Sequence, residues 1–243
     1  MQAVMENRRT FGLSGGTLKL LAVVTMLIDH IGAAVLTRML HQSGWNENLY
    51  QIYYGMRLIG RTAFPIYCFM LIEGAEHTHS GGKYLARMGF LALISEIPFD
   101  LAFQGRLLES GYQNVFFTLT IALTALLVIH RQKDHKILVL MVCLAAMWAA
   151  WLMKTDYGWR GVFCILCMYF LRKNRLLQLG AGYVAFVLLL GEAAALPAFL
   201  LLGLYNHQRG WSNKWFFYGF YPVHLLLLYL TCVCLGLAQY AAI

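Results

Sequence analysis

A helix needs about 20 apolar residues to cross the ~30 Å hydrocarbon layer of a membrane. Read for such runs, the chain offers nine, at roughly 18–40, 57–76, 84–103, 115–131, 136–153, 158–171, 175–191, 193–205 and 216–239. The runs between 158 and 205 are short and tightly connected, so eight to ten spans fit the pattern. No internal repeat, low-complexity tract or long linker interrupts them. The pattern predicts an all-α, polytopic transmembrane helix bundle, read as one domain over residues 1–243. Composition points the same way, with 60% hydrophobic and 12% charged residues and a mean hydropathy of +0.61. A soluble domain carries roughly 25% charge. The first fifteen residues include Glu6, Arg8 and Arg9, and the apolar run after them is too long for the core of a cleavable signal peptide.

Charge fixes an orientation. The net charge is +8, which in a soluble chain would suggest nucleic acid, but here the basic residues follow the loops. With the N-terminus cytoplasmic, the inner segments hold thirteen: Arg8, Arg9, Lys19, Lys83, Arg87, Arg131, Lys133, Lys136, Arg172, Lys173, Arg175, Arg209 and Lys214. The other six are Arg38, Arg57, Arg61, Arg106, Lys154 and Arg160. Lys and Arg concentrate on the cytoplasmic side of membrane proteins. This asymmetry predicts N-terminus in, C-terminus out and an odd span count in a cell inner or cytoplasmic membrane, with lipid as the surrounding partner and no nucleic acid. The six cysteines all lie in apolar runs and read as small buried hydrophobes. Cys164 and Cys167 have dithiol spacing, but no further ligand accompanies them, and no metal is expected.

Against that background the stretch MLIDHIGAAV, Met26–Val35, stands out. Asp29 and His30 lie about 16–18 Å above the start of the first run at 1.5 Å per residue. Ionisable residues this deep are rare and mark substrate or proton paths. Neighbouring residues on a helix point about 100° apart, so Asp29 does not simply hydrogen-bond the His30 ring. One is expected to face a cavity and the other a neighbouring helix. At similar depth stand Ser95, Glu96, Asp100, Asn114 and Thr118, with Arg57 and Arg61 one turn apart and Asp156 and Arg160 at the outer end of the fifth and sixth runs. The inner half has Glu73, His77, His79, Asn206, Arg209, Tyr221 and His224, with Pro65 and Pro222 each removing a helix hydrogen bond. Plainer readings exist for several of these. Arg57 and Arg61 can snorkel to the interface, Glu96 and Asp100 can be their structural partners, and His224 can be a satisfied interior histidine.

Seven stretches in order give the chain a family likeness: LKLLAVVTMLIDHIGAAV, RLIGRTAFPIYCFMLIEGAEHT, YLARMGFLALISEIPFDLAF, NVFFTL, DYGWRGV, LYNHQRG and FYGFYPVHLLLL. Together they cover nearly the whole chain, which resembles the TraX family. That resemblance implies a single TraX-like transmembrane acyltransferase domain. The founding members acetylate the N-terminus of a conjugative pilin subunit, and the family looks like a relative of membrane acyltransferases that carry acetyl groups from cytoplasmic acetyl-CoA to an acceptor on the far side. Some of those relatives acetylate sugars, so the resemblance names a reaction class better than a substrate.

If the reaction is acetyl transfer, the residues divide into two sets. Lys83, Arg87 and Arg209, with Lys214 beside them, are candidates for the phosphates of acetyl-CoA, and Asn206, Tyr221 and His224 stand at the adjoining helix ends. His30 is the candidate general base, or the carrier of an acetyl group, because imidazole titrates near neutral pH. Asp29 would orient the imidazole or hold Arg57 or Arg61. Asn114 or Arg61 would stabilise an oxyanion, with Glu96 at the same level. The expected acceptor is an amine or hydroxyl on a pilin, peptide or glycan. A continuous polar cavity is expected between the inner set at Asn206, Arg209, Tyr221 and His224 and the outer set at His30, Arg61 and Glu96. A homo-oligomer stays open. The rival readings are a proton-coupled small-molecule transporter, in which Asp29 and His30 relay protons, and a non-enzymatic assembly factor for a surface structure.

Overall fold

The computed structural model describes residues 11–240 and Ala242; Glu6, Arg8 and Arg9 lie outside the described residues. Among the described residues the regular secondary structure is all helical apart from two isolated bridges, Leu13 with Tyr205 and Gln113 with Thr155. Nine helices follow one another: α1 (Gly15–Ser43), α2 (Glu47–His77), α3 (Gly81–Gln104), α4 (Val115–Arg131), α5 (Lys136–Leu152), α6 (Gly158–Phe170), α7 (Arg175–Leu190), α8 (Ala193–Gly203) and α9 (Lys214–Cys234). Helices α1, α2 and α9 are long and apolar enough to cross a membrane. The expected runs each correspond to a helix, with two differences. The run expected from 57 begins ten residues earlier as a helix, at Glu47. The last run stops being helical at Cys234, and a tail through Tyr240 turns back onto the bundle.

Local chemistry explains the ends and breaks. Asn46, Asn114, Asn174 and Asn213 cap α2, α4, α7 and α9 by accepting backbone N–H groups that a helix start leaves unpaired. Pro65 has no N–H for the carbonyl of Arg61 and its ring crowds that carbonyl, so α2 breaks at Arg61–Thr62 into Glu47–Gly60 and Ala63–His77. Helix α1 widens into a π turn at Gly32–Leu36, where the Thr37 amide reaches back to the Gly32 carbonyl. Such turns often adjoin functional positions, and this one directly follows Asp29 and His30.

Packing forms two apolar centres. One collects the second half of α2 with α4, α6, α7 and α8 around Phe69, Leu123, Ile165 and Phe186. The other gathers α1, α3 and α9 around Ala34, Phe99, Phe103 and Leu225. Large apolar side chains are exposed along α3 and α5, among them Phe90, Leu93, Leu144, Trp148 and Trp151. A contiguous apolar face of this kind suits lipid contact. Arg38, expected among the outer loop charges, is instead fully buried. Its guanidinium donates to the carbonyls of Ala34 (2.8 Å), Ala102 (2.6 Å) and Tyr240 (3.0 Å), which ties α1, α3 and the tail together.

The start of α1 is pinned by close backbone contact. Gly15 and Gly16 donate to the carbonyls of Gln208 and Arg209, at 2.8 and 2.9 Å. A Cβ on Gly16 would stand 2.0 Å from the Trp211 carbonyl oxygen, whereas one on Gly55 would meet nothing within 4 Å. Gly16→Ala is therefore expected to destabilise the fold by about 1–3 kcal/mol, the usual cost of forced overpacking. Gly55→Ala should be neutral or mildly stabilising, since alanine is the better helix former. Thermal unfolding of the two variants in detergent checks the contrast.

Candidate functional site

Helix α1 runs past two cavities in turn. Lys19, Val23 and Met26 line one; Met26, Asp29, His30, Ala33 and Thr37 line the other. The stretch from Lys19 to Thr37 is about 27 Å long at 1.5 Å per residue, close to the thickness of a hydrocarbon layer. The cavity holding Asp29 and His30 has a volume of about 670 Å³, and the one holding Lys19 about 600 Å³. Met26, Tyr67, Val115 and Tyr221 belong to the walls of both. The expected single polar cavity is thus replaced by two cavities back to back. Between them stands a septum of two apolar side chains and two tyrosines.

In the Asp29 cavity, the carboxylate accepts from Arg57 Nη1 at 2.6 Å. The two helices approach closely because position 60 is glycine: a Cβ there would lie 2.1 Å from Asp29 Oδ1 and 2.3 Å from its Cβ. Arg61, at the break in α2, donates to Glu192 at 2.8 Å. Glu192 is buried in the corner between α7 and α8. Tyr112 donates to Asp156 at 2.6 Å, and the Thr118 hydroxyl donates to the Asp156 backbone carbonyl. Tyr157 adopts a left-handed backbone, φ 62°, and stacks on Phe64 with ring centres 3.6 Å apart. The wall therefore alternates aromatic rings with charges that are already paired.

His30 belongs to this wall and is held by rings. Phe103 and Tyr221 meet it edge to face, at 5.3 and 5.9 Å between centroids. Its Nδ1 lies 2.8 Å from His224 Nε2. The two imidazole planes are 8° apart with centroids separated by 5.1 Å. That separation is the N···N distance plus roughly one ring radius on each side, so the rings lie edge to edge in nearly one plane. The second nitrogen of His224, Nδ1, stands 2.8 Å from the carbonyl oxygen of Phe220, one turn earlier on α9.

The Lys19 cavity is basic and aromatic. Lys19, Arg87, Arg209 and Lys214 contribute to its wall with Tyr84, Phe217 and Tyr218. Arg87 Nε donates to the Tyr218 hydroxyl at 3.3 Å, and Lys19 sits 5.9 Å from the centre of the Phe217 ring. His77 and His79 complete the rim.

Of the residues singled out from sequence, Asp29, His30, Arg57 and Arg61 meet in one cavity, Arg87 and Arg209 in the other, and Tyr221 between them. His224 joins His30 and lines neither cavity. Glu96 and Asn114 also line neither. The Asn114 amide donates to Glu96 and to the Ala92 carbonyl, and its oxygen caps α4, so it has no donor left to offer an oxyanion. Glu96 and Asp100 do not partner the arginines, since Asp100 accepts from the Glu109 amide at 2.7 Å. Lys83 is exposed and outside the cavity wall, while Asn206 donates to the Gly12 carbonyl and accepts from the Gln208 amide, organising its loop. Sequence reasoning passed over Glu192 because it fell in the gap between two expected runs. It is the only acidic residue after Asp156, and a lone carboxylate amid apolar segments is a signal that could have found it. Lys19 contributes to the basic asymmetry of the sequence, and nothing in its spacing announces a cavity wall.

The chain resembles a probable fimbrial assembly protein FimC of serogroup H1 from Dichelobacter nodosus, at 29% identity over 90% of this chain and 96% of that protein. No solved structure matches it significantly. The family model described as TraX protein matches residues 14–232, which hold both cavities except for Ala242, the His30–His224 pair and the Asp29–Arg57 and Arg61–Glu192 ion pairs, and the chain belongs to the TraX family.

Proposed function

We propose that this protein is a multi-pass acetyltransferase of the cytoplasmic membrane, with its N-terminus inside, and that it moves an acetyl group from acetyl-CoA in the Lys19 cavity to an amine or hydroxyl in the Asp29 cavity. The observation that carries this reading is the pair of cavities meeting at Met26, Tyr67, Val115 and Tyr221. A donor that cannot cross a membrane and an acceptor on the other side need such a meeting point. The basic wall at Arg87, Arg209 and Lys214 suits the donor's phosphates, and its aromatic side chains suit the adenine ring. Lys19 and His30 are eleven residues apart on α1, about 16 Å, a distance that the long, thin pantetheine arm can bridge. The similarity to a fimbrial assembly protein supports a pilin-like acceptor, beside peptide or glycan acceptors.

In this mechanism His30 takes the proton from the acceptor as the acceptor's nitrogen or oxygen attacks the thioester carbonyl. The C–S bond breaks, the same proton passes from His30 to the departing sulfur, and the products are free coenzyme A and the acetylated acceptor. Arg57, paired with Asp29 on the same cavity wall as His30, supplies the positive charge for the developing oxyanion. Asp29 keeps Arg57 in place. Two cavities with a septum between them also suit a carrier that exposes one site to either side. That reading predicts transport without consumption of acetyl-CoA.

Two experiments test these assignments. Cysteine labelling from either side of the membrane should find Gly81–Lys83 cytoplasmic and Gly105–Gly111 external; the reverse would exchange the two compartments and remove acetyl-CoA from the Lys19 cavity. In detergent or liposomes, release of free thiol from acetyl-CoA with acceptor present should need no ion gradient. His30→Ala, matched for thermal stability, should slow it by about 10²–10⁴-fold, the usual worth of a general base. Asp29→Asn should fall between the two, because it keeps the shape and removes the charge opposite Arg57. Normal turnover in folded His30→Ala would leave His30 a structural residue.

A further inference from the structure

The His30–His224 pair admits only one direction of hydrogen bonding when the two rings are uncharged. A carbonyl oxygen can only accept, so His224 Nδ1, 2.8 Å from the Phe220 carbonyl, must carry the hydrogen. A neutral imidazole has one N–H, so His224 Nε2 is then a bare acceptor. His30 Nδ1, 2.8 Å away, must therefore be the donor. That leaves His30 Nε2 as the nitrogen with a free lone pair, on a ring that lines the Asp29 cavity. No hydrogen bond engages His30 Nε2 among the described residues.

We infer that His224 is a positioning residue that locks His30 in the Nδ1–H tautomer and so presents Nε2 as the base toward the acceptor. This rests on the acetyl-transfer reading only for its effect on rate; the tautomer itself is a property of the pair. The lock has three parts. The edge-to-edge alignment of the rings makes the N–H···N contact direct. Phe220 stacks on the His224 ring with centroids 4.7 Å apart and Tyr221 meets it at its edge, so His224 cannot swing away. Its burial, at 5% exposure, leaves little room for water to take its place. The hydrogen bond that His30 Nδ1 makes is to His224, while Phe103 and Tyr221 pack their rings against His30 and Asp29 Oδ2 accepts from Arg57. Without His224 the Nδ1–H would lose its partner, and the ring would change to the Nε2–H form. In that form the nitrogen facing the acceptor already holds a proton and cannot accept another. Outer partners that fix the tautomer of metal-bound histidines are worth about 10–100-fold in affinity or activity, and a loss of that size is expected here.

The test compares His224→Leu, which removes the acceptor, with His224→Gln, whose amide oxygen can stand where Nε2 stood. The full-length protein, labelled with ¹⁵N-histidine in detergent, reports each tautomer through its nitrogen shifts, and His30→Ala identifies the His30 signals. The wild type should show His30 as Nδ1–H, the Leu variant as Nε2–H, and the Gln variant should restore Nδ1–H. The Leu variant should lose about 10–100-fold in kcat, with KM for acetyl-CoA unchanged because His224 is outside the Lys19 cavity, and Gln should recover most of the loss. An Nε2–H tautomer in the wild type, or one unchanged in a folded Leu variant, would overturn the inference and leave the acetyl-transfer reading intact. A tautomer change with unaltered kcat would support the lock and count against His30 as the base.

Discussion

The Asp29–Arg57 ion pair is the constraint that the rest of this structure accommodates. A carboxylate and a guanidinium half-buried in an apolar helix bundle are tolerated when they meet each other with good geometry, and removing either partner leaves a costly unpaired charge. Several features serve that meeting. Gly60 clears the space that Asp29 occupies. Pro65 interrupts α2 just after Arg61, so the first half of that helix can lie along α1 while the second half joins the other core. The π turn that follows His30 re-aims the upper part of α1, where Arg38 gathers carbonyls from α1, α3 and the tail. The second pair, Arg61 with Glu192, fastens the same break to the corner between α7 and α8. Helices α1 and α2 and the distant corner between α7 and α8 are thus drawn around one space by two ion pairs.

The division of the apolar core follows from this arrangement. Each of the two hydrophobic clusters closes on itself, and Tyr67, Val115 and Phe116 pack against both. The two cavities meet at this seam, and Tyr67 and Val115 are half of the septum. Shape and charge then differ on either side of it. On one side the cations Arg87, Arg209 and Lys214 find no carboxylate partner among the described residues; on the other, Arg57 and Arg61 are each satisfied. Unpaired cations attract a polyanion, whereas paired charges in an aromatic wall orient a reacting group without binding it strongly by charge.

Much of this was legible in the sequence, and the rest was lost for identifiable reasons. Apolar runs are a strong signal because backbone groups in lipid must be satisfied within a helix, and every expected run corresponds to a helix. The depth of Asp29, His30, Arg57 and Arg61 could be counted at 1.5 Å per residue, and they do share one cavity. Depth gives no rotation, however. Glu96 and Asn114 stand at the right level but face each other beside Ala92. Depth alone puts His224 with the inner helix ends, whereas its ring reaches His30, because the register between α9 and α1 is set by side-chain packing that no single-chain periodicity records. Arg38 read as a loop charge because carbonyl acceptors, unlike carboxylates, leave no trace in a sequence. The partner of Arg61 was missed because Glu192 lies 131 residues away in the chain.

In the proposed reaction a donor on the N-terminal side passes an acetyl group to an acceptor on the other side at the seam, next to His30. The most direct measurement uses inside-out vesicles of the native cell membrane, which carry their own acceptors. Acetyl-CoA labelled in the acetyl group is added only to the exposed cytoplasmic face. Label should accumulate in lumenal material that resists external protease and glycosidase until detergent is added, and vesicles with stability-matched His30→Ala should fail to accumulate it. Label found only on material exposed to the added enzymes, or equal lumenal label with His30→Ala, would contradict the account.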